Sequence, residues 1–121
     1  MAAWLRWFNA SLGQIDGVAR AALAHLWFEA VHPFEDGNGR IGRAVAELAL
    51  AQDLQSPQRL MSVSAQVLAA RADYCAHLET ATSGPELDVT PWVGWFATRV
   101  QRAGEAAVAH VQSALDKTAF W

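Results

Sequence analysis

A chain of 121 residues, 53% of them hydrophobic and 17% charged, suits a single domain able to bury a core of its own. The formal net charge of −3 argues against a nucleic-acid or anionic-membrane surface, and a lone cysteine, Cys75, excludes an internal disulfide. No window of about 18 apolar residues is free of charge, and Arg6 interrupts the first ten residues, so neither a transmembrane helix nor a signal peptide is expected and the cytoplasm is the default compartment.

The residue mix favours helix. There are 25 alanines against 10 valines and 2 isoleucines, and no stretch of strand length alternates apolar with polar residues. In chain order, Met1 to Asn9 is an aromatic-rich helical piece containing Trp4, Trp7 and Phe8. Ser11 to Gly17 is a connector with two rival start signals, the Ser11/Gln14 capping-box spacing and Asp16. Ile15, Val18, Ala19, Ala22, Leu26 and Ala30 then fall on one helical face, and Pro33 ends that helix near Val31. After a loop from His32 to Gly39, a second helix runs from about Arg40 to about Asp53 with Ile41, Val45 and Leu48 inward. A third runs from near Ser64 to Gly84-Pro85, with Val67, Ala70, Tyr74, Leu78 and Ala81 on its stripe. Thr90-Pro91 opens a last long helix, whose stripe is Trp92, Phe96, Val100, Ala103, Ala107, Val111 and Leu115. The expected fold class is all-α, a bundle of four to five helices forming one domain over residues 1–121.

One stretch is not explained by packing: His32-Pro33-Phe34-Glu35-Asp36-Gly37-Asn38-Gly39-Arg40-Ile41-Gly42-Arg43. Gly37 and Gly39 allow positive φ and close backbone approach, and Asn38 is the next most tolerant type. Successive N–H groups in such a loop form an anion nest, to which the following helix adds its N-terminal amides and positive dipole end. Arg40 and Arg43 share a face of that helix's first turn, where the dipole disfavours cations unless an anion is present. Asp36 is a hard oxygen ligand suited to magnesium alongside substrate phosphates, with Glu35 a second choice that otherwise faces solvent. His32 titrates near neutrality and suits a general base. Phe34 anchors the loop to the core. The residues by themselves describe a magnesium–phosphate site with a base at hand, which is the apparatus of phosphoryl or nucleotidyl transfer.

The pattern His-Pro-Phe-x-Asp-Gly-Asn-Gly-Arg-x-x-Arg resembles the signature loop of the Fic family, with all nine specified positions of twelve present. The resemblance implies an all-α Fic core and a protein adenylyltransferase, moving AMP from Mg-ATP to a Tyr, Thr or Ser hydroxyl of a target protein. It implies that His32 deprotonates the hydroxyl, Asp36 holds Mg2+, and Gly37, Asn38 and Gly39 cradle the phosphates. Arg40 and Arg43 are then expected to hold the β- and γ-phosphates. Gly39 stands where a phosphorylating relative carries lysine, which favours AMP transfer. Two departures accompany the resemblance. No segment before His32 reads as the family's target-aligning β-hairpin flap, which points to a piece of a longer protein or to a natural truncation. The nearest match to the family's inhibitory Ser/Thr-x-x-x-Glu helix, Thr82 to Glu86, is broken by Gly84-Pro85.

The rival readings are transfer from another donor such as UMP or phosphocholine, a catalytically silent nucleotide-binding or protein-interaction domain, and a purely structural helical piece. His25, His77 and His110 share no ligand spacing and read as helix-surface or core-edge residues, and Cys75 beside Tyr74 reads as packing. Most of the six tryptophans lie on helical stripes and so belong to core or interface. Trp4, Trp7 and Trp121 lie near the termini, where uncovered aromatics favour self-association, and a homodimer is among the admissible assemblies. No nucleic-acid or membrane partner is expected.

Overall fold

The computed structural model describes residues 2–31, 37–54, 62–83 and 88–120. Among these, six helices follow one another: α1 (Ala2–Ser11), α2 (Gly17–Val31), α3 (Asn38–Leu54), α4 (Val63–Ala69), α5 (Arg71–Ser83) and α6 (Thr90–Phe120), with no strand. The all-α class is therefore as expected. The sixth helix arises because the expected third one breaks at Ala70, whose φ of −115° and ψ of 43° leave the helical region. No helix among the described residues is long and apolar enough to cross a membrane.

The helix starts are set by side-chain acceptors. Asp16, not Ser11, caps α2, since its carboxylate accepts from the Ala19 amide at 3.0 Å. Ser11 instead closes α1, and its hydroxyl accepts from buried Arg20 at 2.9 Å. Ser62 caps α4 through the Ala65 amide at 3.2 Å. At α6 the acceptor is Asp88, one residue upstream of Val89 and not the expected Thr90 hydroxyl. The Asp88 carboxylate takes the Thr90 amide at 3.0 Å, and hydrogen bonds from Thr90 hold its pKa below the ordinary value.

The fold is built around α2. Ala21, Ala22, Ala24, Leu26 and Phe28 are all buried, so this helix is apolar around most of its circumference and not on a single stripe. Ile15 and Ala30, expected on that stripe, are exposed. Two indoles clamp α2 from opposite ends of the chain: Trp4 donates to the Ala24 carbonyl at 3.0 Å and Trp92 to that of Ala22 at 2.8 Å. Trp4 also stacks on Phe8 at 4.9 Å, so it is covered by its own chain. Trp92 joins Tyr74, Trp95 and Phe96 in an aromatic cluster between α5 and α6.

The helices α2 and α3 lie antiparallel. A Cβ at Gly17, the start of α2, would collide with the Asp53 carboxylate near the end of α3, and one at Gly42 would collide with Glu29. Arg20, 1% exposed, ties three helices together by donating to Ser11 and the Phe8 carbonyl of α1 and to Gln52 of α3 at 3.0 Å. The inward face of α3 is Ala46, Ala49 and Leu50. Ile41 and Leu48, expected inward, are 40% and 45% exposed, because Ala46, Ala49 and Leu50 take the inward face, whereas Val45 packs part-buried against the core as expected. The α6 stripe is buried through Ala103, whereas Val111 and Leu115 are exposed and nothing among the described residues covers them.

Candidate functional site

The antiparallel α2–α3 pair brings residue 31 and residue 37 to the same end of the molecule, and the signature loop joins them there. Of the residues singled out from the sequence, His32, Phe34, Glu35 and Asp36 lie outside the described residues. Gly37, Asn38, Gly39, Arg40 and Arg43 are described.

Helix α3 begins two residues earlier than expected. The Gly37 carbonyl accepts the Ile41 amide at 3.0 Å, which makes Gly37 the residue that opens the helix and puts Asn38 and Gly39 in its first turn. Gly37 has φ 80°, a left-handed conformation that costs an L side chain about 1–2 kcal/mol. Gly39 is helical, so its lack of a side chain serves close approach instead. A Cβ there would sit 3.1 Å from an Arg43 guanidinium nitrogen, and one at Gly37 would sit 3.5 Å from an Arg40 guanidinium nitrogen. Both arginines therefore lean back toward the helix N-terminus, as helical side chains do. Two guanidinium groups and the positive end of α3 converge on one short stretch of backbone, where nearby α3 offers no acidic residue in its first turn. Such a concentration of donors and positive charge suits a polyphosphate anion.

Beneath Arg43 lies a group of buried polar side chains that the sequence reading did not assemble. His25, taken as a helix-surface or core-edge residue, is 2% exposed and lies in the core. Its Nε2 is 2.7 Å from the Tyr74 hydroxyl, and its ring stacks on Trp92 at 5.8 Å. Burial, with a contribution from the Arg43 cation and partly opposed by the Gly42 backbone, pulls its pKa down to about 4, so the ring is neutral at neutral pH. Burial and the nearby Glu29 push Tyr74 up to about 12, against the pull of the neighbouring Arg43 guanidinium. A narrow cleft walled by His25, Arg43, Ala46, Val63, Val67 and Phe96 adjoins this group. Glu29 follows His25 at i+4, the one local hint that these two side chains share a face of α2. The other histidines differ. His77 stacks on Trp95 at 5.2 Å, and His110 is exposed.

No group of three or more His, Cys, Asp or Glu side chains that could hold a metal occurs among the described residues. A magnesium ion delivered with a nucleotide does not need one, since phosphate oxygens complete its shell around one or two carboxylates.

Residues 1–50 match the Fic/DOC family, a stretch that contains the whole signature loop. The chain is 32% identical over 111 residues to protein adenylyltransferase fic-1 of Caenorhabditis elegans, an alignment covering 91% of this chain and 20% of that protein. It is 36% identical over 92 residues to the protein of the same name in Caenorhabditis briggsae, covering 75% and 16%. A probable protein adenylyltransferase of Aquifex aeolicus is 44% identical over 39 residues, 32% of this chain and 12% of that protein. The chain thus spans a fifth or less of the length of these curated relatives. With the signature loop intact, its glycines and arginines gathered at the start of α3 and these relatives aligned along it, the chain belongs to the Fic/DOC family.

Proposed function

We propose that this chain carries the catalytic loop of a protein adenylyltransferase, which transfers AMP from ATP to a Tyr, Thr or Ser hydroxyl of a target protein. The observation that carries the reading is the convergence of Arg40 and Arg43 over Gly37 and Gly39 at the N-terminus of α3, a donor set matched to a triphosphate. The names of the aligned relatives support the same activity.

In this reading His32 takes the proton of the target hydroxyl, and the hydroxyl oxygen attacks the α-phosphorus. The bond from that phosphorus to the bridging oxygen breaks, and pyrophosphate leaves with the electron pair. Gly37, Asn38 and Gly39 receive the phosphates against their backbone, and Arg40 and Arg43 hold the β- and γ-phosphates while charge builds on the leaving group. Asp36 is the carboxylate that would hold Mg2+, whose charge would neutralise the polyphosphate. Phe34 anchors the loop.

The test uses ATP labelled at the α-phosphate, with magnesium and a cell lysate, comparing the parent chain with His32→Ala. Label on protein with the parent alone supports AMP transfer and the role of His32. Equal label with both removes His32 as the base. Label from UTP or CDP-choline in place of ATP reassigns the donor.

A further inference from the structure

The polar group beneath Arg43 belongs to none of the steps above. Arginine is long and flexible, and holding one in a single geometry costs side-chain entropy unless something fixes it. Here one partner is in place. Tyr74 enters from α5, its hydroxyl lies 2.7 Å from His25 Nε2, and it neighbours Arg43, which lines the same cleft as His25. His25 cannot swing away, being 2% exposed, tilted against Tyr74 and stacked on Trp92 at ring distances of 5.7 and 5.8 Å. Trp92 in turn is anchored to the Ala22 carbonyl. The chain of support runs from the aromatic core through His25 and Tyr74 to Arg43, whose guanidinium lies against Gly39.

We infer that Tyr74 is a positioning residue for the nucleotide site: its hydroxyl, held by His25, fixes the Arg43 guanidinium over Gly39 and so sets the affinity of the site for a polyphosphate. The inference rests on the phosphate reading of the α3 N-terminus given above. Tyr74 touches neither substrate nor reacting atoms; it acts through Arg43. Glu29 lies close to both His25, at 4.0 Å, and Tyr74.

The test is a double-mutant cycle read as affinity for inorganic tripolyphosphate with magnesium, using Tyr74→Phe, Arg43→Ala and the double variant. Tyr74→Phe removes only the hydroxyl. It is expected to weaken binding about five-fold in the parent, the size of one hydrogen bond, and less than about two-fold in the Arg43→Ala background. A merely structural tyrosine would give the same loss in both backgrounds, and that result, or no loss in either, overturns the inference. A second measurement does not depend on how the Tyr74 variant folds. Tyr74 is the sole tyrosine, so tyrosine labelled with 13C at Cζ gives one resonance. That resonance is expected to move in Arg43→Ala without any ligand; an unmoved resonance shows no contact and overturns the inference. A parent chain that binds no tripolyphosphate overturns it as well, and a resonance that nonetheless moves then places the failure in the phosphate reading and not in the Tyr74–Arg43 contact.

Discussion

Acid should unfold this protein through His25. The ring is 2% exposed, lies against Tyr74 and Trp92, and has its pKa pulled from 6.5 to about 4 by burial. In the unfolded chain the same ring titrates near its ordinary value. Between the two values the unfolded state binds the extra proton, so stability is greatest above the unfolded pKa and falls as the pH drops toward the folded one. A shift of about 2.5 units at about 1.4 kcal/mol each amounts to roughly 3 kcal/mol lost across that window, a large part of the stability of a small domain. The protonated ring would also place a second cation beside Arg43. Urea unfolding of the parent chain and of His25→Gln, followed from about pH 7.5 down to about pH 4, isolates this contribution, since every other titrating group is common to both. The variant starts less stable, because it loses the aromatic stack, but its stability should fall by about 3 kcal/mol less over the range. Parallel declines in the two proteins would refute the assignment of His25 as a buried neutral base.

Two glycines should respond oppositely to alanine. Gly42→Ala drives a methyl group into the Glu29 carboxylate and to 3.2 Å from the His25 ring, and should lower stability by about 1–3 kcal/mol in thermal or urea unfolding. Gly94→Ala, in α6 with open space around the added carbon, should raise it by about 0.5–1 kcal/mol through helix propensity alone.

What could be read in the sequence was what local chemistry decides. Pro33 places the end of α2, Thr90-Pro91 marks the start of α6, and the glycines of residues 37–39 mark the stretch that opens α3. The misreadings have physical causes. Ile41, Val45 and Leu48 form an apolar stripe, yet only Val45 packs against the core, because α3 turns Ala46, Ala49 and Leu50 inward and leaves Ile41 and Leu48 exposed. The break at Ala70 carries neither glycine nor proline, so nothing local announces it. Ser11 and Asp16 are rival caps in the sequence, and Asp16 takes the role because buried Arg20 claims the Ser11 hydroxyl. His25 was read as peripheral because its partner Tyr74 lies 49 residues away, and only the packing of α5 against the bundle brings the two together. The ends of the helices on either side of the loop were therefore legible, whereas the pairing of His25 with Tyr74 was not.

The central claim is that the N-terminus of α3 receives the phosphates of a nucleotide. Amide chemical shifts recorded while Mg-ATP is titrated into the 15N-labelled chain test it at residue resolution. The account predicts that the amides of Gly37, Asn38, Gly39 and Arg40 move first and furthest, with the Arg43 guanidinium signal following them. Shifts centred instead on the groove between α5 and α6, at His77, Thr80 and Trp92, or no shifts at all, would contradict it.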